Sequence, residues 1–309
     1  MKAVFDTKPN SGYDDEIMGR YHFPTRSNYM DVARATVGDW IVYREPQRNG
    51  GRRAYIAAAR VARIQPDPAL PNHAYAVIDT ATFLPFDRPV PFAGPDGYWE
   101  APLRAISDPS RVGAGVQGQA MRPLSDMDFA AIIREGLIET LKPDNAIRLG
   151  LAGLSDVEQA VFELDEASGA DQVRRVEAML VNRKIRDANF RRQICEAYED
   201  RCAVTGLKII NGGGKSEVQA AHIVPVADGG PDVVQNGLAL SGTVHWLFDR
   251  HLISLTDSYE LLVAHNRVPS ELLPLFARQM DRIHLPKDER LRPHPSYMAR
   301  HRERFASAH

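Results

Sequence analysis

The sequence predicts an α+β chain in three parts: a strand-rich first portion, a helical middle, and a last portion whose centre reads strand, loop, strand, helix. Three observations predict it. Short apolar runs punctuated by proline and glycine fill roughly the first 125 residues, and the period then lengthens to that of helices as far as about 200. The stretch VQAAHIVPVADGGPDVVQNGLALSGTVHWLFDRH, positions 218 to 251, returns to short extended runs before a final helical pattern.

In chain order, VGDWIVYRE (37–45) and RAYIAAARVARI (53–64) read as strands, and the PQRNGG between them carries the Asn-Gly signal of a hairpin. HAYAVIDTATFLPF and RPVPF add extended segments with proline at their ends, so residues 1–130 are expected to form a compact, mostly β module, a barrel. DMDFAAIIREGLIETL has helical spacing, with Ser125 placed to cap it. DQVRRVEAMLVNRKIRDANFRRQICEAYEDR reads as one long helix or two, and GLAGLSDVEQ as a linker. These changes of period set the expected domains at 1–130, 131–182 (a helical linker) and 183–309.

Composition narrows the class only a little. A hydrophobic fraction of 44% with 25% charged residues is ordinary for a globular protein, and a formal net charge of -2 argues against coating nucleic acid by bulk attraction. Charge is uneven, however: Arg174, Arg175, Arg183, Lys184, Arg186, Arg191 and Arg192 face two acids, Glu177 and Asp187, within one stretch able to hold phosphates. MKAVFDTKPNSGYDDE lacks the apolar core of a signal peptide and no later stretch has membrane-spanning character, so a cytoplasmic location is expected. Cys195 and Cys202 are too few for a disulfide framework and are expected to be reduced and packed.

The 218–251 stretch carries the chemistry. His222 closes a strand, DGGPD turns, Asn236 precedes a second apolar run, and SGTVHWLFDRH opens a helix with Ser241 or Thr243 as cap. His245 and Asp249 lie four apart, so both leave one helix face and can grip one cation. Phosphodiester hydrolysis needs a base for the attacking water, and His222 is the candidate; Asn236 is the candidate to hold its imidazole in one orientation.

The order His222, Asn236, His245, with RCAVTG, AAHIVP, NGLALS and HWLFD around it, resembles the HNH or ββα-metal nucleases, in particular their restriction-type branch. The likeness runs from about Phe190 to Val268, with an echo in HPSYMARHRERF. It implies a divalent ion, Mg²⁺ with Mn²⁺ or another as alternatives, bound by His245 and Asp249, and double-stranded DNA as substrate. Cutting both strands with one site per chain suggests a homodimer, with sequential nicking by one chain as the alternative. The position before the base histidine, an acid or histidine in many of these enzymes, is Ala221 here, which leaves the metal set open. IINGGGKSE lacks P-loop spacing and reads as a hairpin or DNA-contacting loop, so Lys208 and Lys215, with Arg183, Lys184 and Arg186, are the candidate phosphate contacts.

SGYDDEIMGRYHFP, VGDWIVYREP, GRRAYIAAARVARIQPDP and HAYAVI, spanning about 5 to 92, resemble the PUA-like superfamily, particularly its EVE-type members. Related modules read a modified base flipped from the duplex. A flipped base needs aromatic faces and hydrogen-bonding edges, and Tyr13, Tyr21, His22, Phe23, Trp40 and Tyr43, with Asp14, Asp15 and Asp39, are the candidates. Tyr21 and His22 are expected in a loop, while Trp40 and Tyr43 read equally as barrel core. The function so implied is a modification-dependent restriction endonuclease that recognises 5-methyl- or 5-hydroxymethylcytosine. An HNH nuclease without that dependence, and an inactive DNA reader, remain alternatives.

Overall fold

The computed structural model describes residues 1–7, 19–47, 50–140, 142, 170–276 and 281–307. They divide into two compact units, one holding 1–140 with 170–182, the other running from Arg183. GLAGLSDVEQ, like Tyr13, Asp14 and Asp15, lies outside the described residues.

In the first unit the strands are β1 (Ala3–Asp6), β2 (Arg20–Pro24), β3 (Trp40–Glu45), β4 (Ala54–Pro66), β5 (His73–Pro91), the two-residue pair β6 (Ala93–Gly94) and β7 (Gly97–Tyr98), and β8 (Met121–Pro123). Helices α1 (Ser27–Ala35), α2 (Ala101–Arg104), α3 (Val112–Gly115), α4 (Asp126–Gly136) and α5 (Ala170–Val181) accompany them. The main sheet runs β2-β5-β4-β3-β1-β8. β3 and β4 pair antiparallel, as the PQRNGG turn predicts, although positions 48 and 49 of that turn are outside the described residues. Three register shifts between β4 and β5 bend these long strands, because each bulge raises the local twist.

Among the described residues the sheet is a half-barrel, and the closure expected of a barrel is not seen. β2 and β8 are the edges of the sheet, and among the described residues no ladder joins them, so the sheet is curled but open. Ser125 caps α4 as its position predicts, its hydroxyl accepting the Asp128 N–H at 3.1 Å. α5 packs in this same unit: Val176 and Leu180 are buried, and Glu177 accepts from Lys2 at 2.6 Å.

A buried ionic network fastens the strand ends. Arg44 forks onto Asp6 (2.7 and 2.5 Å); Arg122 reaches Asp6 at 2.9 Å and forks onto Glu100 (2.6 and 2.6 Å), which also accepts from the Tyr55 hydroxyl at 2.8 Å. Two carboxylates and two guanidiniums neutralise one another, the condition under which buried charge is tolerated.

The second unit contains α6 (Arg183–Ala197), β9 (Gln219–His222), β10 (Gly237–Leu240), α7 (Gly242–Asp249), β11 (Ile253–Leu255), β12 (Leu261–Val263), α8 (Leu273–Phe276) and α9 (Pro295–Ser307). The helical stretch that read as one helix or two is two, α5 and α6, meeting at Asn182. Phe190, Ile194, Leu238, Leu240, Val244, Leu247, Phe248 and Met298 belong to one core. Cys195 and Cys202 lie in it as buried thiols. No helix among the described residues is long and apolar enough to cross a membrane.

Candidate functional site

β9 and β10 pair antiparallel with His222 opposite Gly237, and α7 follows after Ser241. Ser241 sits at the cap position but makes no capping bond with its side chain; the Glu217 carboxylate instead accepts the Gly242 N–H at 3.0 Å. An acid at a helix N-terminus opposes the positive end of the helix dipole.

His222 is held from two sides. Its ring lies flat on Phe190, centroids 4.0 Å apart at 11°, and its Nε2 is 2.9 Å from Asp232 Oδ1. Phe190 can come so close because position 237 is glycine: a Cβ there would sit 2.8 Å from Phe190 Cζ and 2.3 Å from Ile194 Cδ1. Asp232 is 2% exposed at its side chain, and its Oδ2 accepts from Arg186 Nε and Nη2, each at 3.1 Å. A carboxylate bonded to a guanidinium only accepts, so this contact takes the Nε2–H of His222 and leaves Nδ1 as the open ring nitrogen. Among the described residues no group takes a hydrogen bond at Nδ1.

Asn236 does not touch the imidazole in this arrangement. Fully buried, it accepts the Val224 N–H (2.9 Å) and donates to the carbonyls of Val224 and Pro231 (3.0 Å each). It therefore clasps the ends of the 224–231 loop and acts on His222 at one remove, through the residue after Pro231. Gly230 is needed at this clasp, since a Cβ would fall 1.8 Å from the Val224 oxygen.

His245 and Asp249 share a face of α7, as their spacing predicts, with Nε2 of the first 3.4 Å from Oδ2 of the second. His245 Nδ1 is 2.7 Å from Gln219 Oε1. An acceptor at Nδ1 orients the ring and turns Nε2 toward Asp249, as an outer partner orients a metal-binding imidazole. Burial raises the Asp249 carboxyl, but the His245 bond and charge, with Arg250 and His301, bring it below its ordinary value, so it is anionic at neutral pH. One imidazole nitrogen and one carboxylate oxygen fit a divalent cation whose other positions go to water and phosphate oxygens. Among the described residues no three His, Cys, Asp or Glu gather as a metal cluster, and Ala221 is fully buried, so the position before His222 adds no ligand.

Other expected site residues lie elsewhere. Arg186 is a correction: 4% exposed and committed to Asp232, it supports His222 rather than a phosphate. Arg192 is likewise buried and paired with Glu196, so the basic 174–192 stretch is not one phosphate-facing surface. The side chains of Arg183 and Lys184 lie outside the description, while Lys208 and Lys215 are exposed.

In the first unit Tyr21, His22, Phe23, Trp40 and Tyr43 are all buried, where a base pocket had been expected. Tyr21 and His22 fall on β2 rather than in a loop, because Arg20–Pro24 pairs with β5. Tyr21 donates to the Asp6 carbonyl at 2.9 Å, and His22 stacks on Tyr75 with Nε2 2.9 Å from Asp67. Asp39 is tied to the Met1 amino group at 2.7 Å.

Sequence reasoning missed Asp232, Gln219 and Glu217. Asp232, in GGPD, carries the signature of a turn residue, and nothing in the pattern marks it as buried. Gln219 is an ordinary polar residue at a strand start until α7 folds back over it.

Comparison with known proteins accords with this geometry over part of the chain. Residues 202–256 match the HNH endonuclease family designated HNH_2. No curated protein matches the chain. Among solved structures, the modification-dependent TagI restriction endonuclease is 25% identical at a TM-score of 0.29, over 37% of this chain and 36% of that one. The Type IV phosphorothioation-dependent restriction endonuclease ScoMcrA is 13% identical at a TM-score of 0.20, over 98% of this chain and 53% of that one. The chain thus spans about a third and about half of these two proteins. The β9, β10 and α7 unit with His222, Asn236 and His245 lies within the matched segment, and residues 202–256 are an HNH endonuclease domain.

Proposed function

We propose that the protein is a metal-dependent DNA endonuclease in which His222 is the general base and His245 with Asp249 holds the cation. The observation that carries this reading is a pair of opposed imidazole contacts: Asp232 Oδ1 holds Nε2 of His222 and leaves Nδ1 open, while Gln219 Oε1 holds Nδ1 of His245 and turns Nε2 toward Asp249. One ring nitrogen is then placed for water and the other beside the carboxylate that would share a metal with it.

In the mechanism, Nδ1 of His222 takes the proton from the attacking water, and the Asp232 carboxylate stabilises the imidazolium that results. Phe190 holds the ring flat, so the proton moves without reorienting the base. Asn236 keeps the 224–231 loop closed and Asp232 in reach. His245 and Asp249 would hold a divalent cation, which when bound would supply charge neutralisation on the phosphate and the departing oxygen. Lys208 and Lys215, with Arg183 and Lys184, contact phosphates; the enzyme acts in the cytoplasm as a homodimer.

The first unit is proposed to direct cutting to DNA bearing modified cytosine, a reading supported by its sequence likeness to PUA-like modules. The burial of Tyr21, His22, Phe23, Trp40 and Tyr43 favours a second reading, cutting without regard to modification. A digestion panel of one plasmid carrying unmodified, methylated, hydroxymethylated or glucosylated cytosine, each with several divalent ions, separates them. Cutting of the modified forms alone supports the first reading, and equal cutting of all supports the second. Absence of cutting in every arm removes the endonuclease assignment.

A further inference from the structure

From Leu207 to Lys215 every residue is exposed, and three are large and aliphatic: Leu207 at 47%, Ile209 at 52% and Ile210 at 43%. So much branched aliphatic surface in one short segment marks a contact surface. The segment is a built finger. Ile210 bridges Ser216, and the Glu217 N–H donates to the Ile209 carbonyl at 2.9 Å. At the tip, Asn211 Oδ1 accepts the N–H groups of Gly213 (3.0 Å) and Lys215 (2.9 Å), and Gly214 takes a positive φ of 76° that favours glycine. The root joins the nuclease domain directly: Glu217 caps α7, and Gln219, two residues on, orients His245.

Charge selects the occupant. Lys208 and Lys215 have no ion-pair partner among the described residues, and Glu217, two residues after Lys215, accepts the Gly242 amide at the start of α7. A second copy or another apolar protein would use the aliphatic side chains but leave two cations uncompensated. A duplex uses both, with lysines on phosphates and aliphatic side chains against base steps, the combination by which apolar wedges enter a groove. A Cβ at Gly212 or Gly214 would have no atom within 4 Å, so the tip has open space beside it for an incoming backbone.

We propose that the 207–216 finger is a DNA wedge that inserts Ile209 and Ile210 against a base step beside the scissile phosphate while Lys208 and Lys215 clamp the flanking phosphates. This rests on the endonuclease reading. The test uses the full chain carrying His222→Ala, to stop cutting, and short duplexes with 2-aminopurine tiled around the cleavage position mapped with wild-type protein. The expected result is a rise in aminopurine fluorescence at one step on binding, lost with Ile209→Ser/Ile210→Ser together with at least about tenfold in affinity. Lys208→Ala/Lys215→Ala should reduce the slope of log K against log salt by about 2. All four substitutions are at exposed positions, and unchanged thermal unfolding checks that the fold is intact. Unchanged aminopurine signal and affinity in the serine variant, while wild-type protein cuts, overturns the wedge alone. So does a wild-type dimer, seen by sedimentation without DNA, that the serine variant dissociates. Failure of wild-type protein to cut any duplex overturns the endonuclease reading and the wedge together.

Discussion

Asp232→Asn tests the device behind the general base. The substitution keeps shape and removes one negative charge between Arg186 and His222, in a place where Asp232 and Arg186 side chains are 2% and 5% exposed. An asparagine amide cannot present oxygen to both neighbours. Arg186, a buried cation with its Nε and Nη2 on this group, claims the oxygen, so the NH₂ turns toward His222 Nε2. The imidazole must then accept at Nε2 and carry its proton on Nδ1, which disables the atom assigned to take the water proton. A positioned general base contributes about 10²- to 10⁴-fold, and kcat should fall by that amount, roughly 3–5 kcal/mol in the barrier. Binding of uncut DNA should be nearly unchanged. The assay is single-turnover plasmid cleavage by wild type, Asp232→Asn, His222→Ala and the double variant, with thermal melts alongside. Because both residues serve one proton transfer, the double variant should be no slower than His222→Ala alone. A folded Asp232→Asn enzyme that cleaves within about threefold of wild type, or losses that multiply in the double variant, would refute the reasoning.

The other predictions concern metal, loop and pH. Gln219→Ala frees the His245 ring, and the cation concentration for half-maximal cleavage should rise about 10- to 100-fold; an unchanged titration contradicts the outer-partner role. Asn236→Ala leaves the Val224 N–H, the Val224 carbonyl and the Pro231 carbonyl without a buried partner, a loss on the order of 3–5 kcal/mol, measurable as a fall in denaturation midpoint; a shift under about 1 kcal/mol would show the clasp to be dispensable. His301 is buried against Phe248 and His251, and burial, then the His251 charge, push its pKa down to about 4 from an ordinary 6.5. Its folded-state value lies below its unfolded one, so its contribution is full above pH 6.5, falls as pH drops toward 4, and levels off below. About 3 kcal/mol should be lost across that window, and His301→Gln should flatten the curve; equal acid sensitivity in both would count against it.

The sequence carried the site's elements well and its wiring poorly. The i, i+4 spacing placed His245 and Asp249 on one face because helical geometry is local, and the two apolar runs around DGGPD paired as a strand pair for the same reason. Asp232, Gln219 and Glu217 act across 10, 26 and 25 positions, separations that periodicity cannot report. Arg186 shows the reverse limit: a basic run suggests solvent and phosphate, whereas one of its members is drawn inside by a single buried carboxylate. In the first unit, HAYAVIDTATFLPF and RPVPF were legible as strands, yet closure was not. Whether edge strands meet depends on accumulated twist and bulges, and among the described residues β2 and β8 are the two edges of one curled sheet. Tyr21 and His22 read as loop residues because Pro24 ends their run, but proline is tolerated at the end of an edge strand, which is where β2 lies.

The most direct measurement is a divalent-cation titration of plasmid cleavage by wild type, His222→Ala and Asp249→Ala, with DNA binding followed in parallel. Cutting by wild type only in the presence of the ion, no cutting by His222→Ala at any ion concentration, and a higher ion requirement in Asp249→Ala, all with DNA still bound, is the predicted result. Cleavage by His222→Ala at the wild-type rate, or an ion requirement in Asp249→Ala identical to that of wild type, would contradict it.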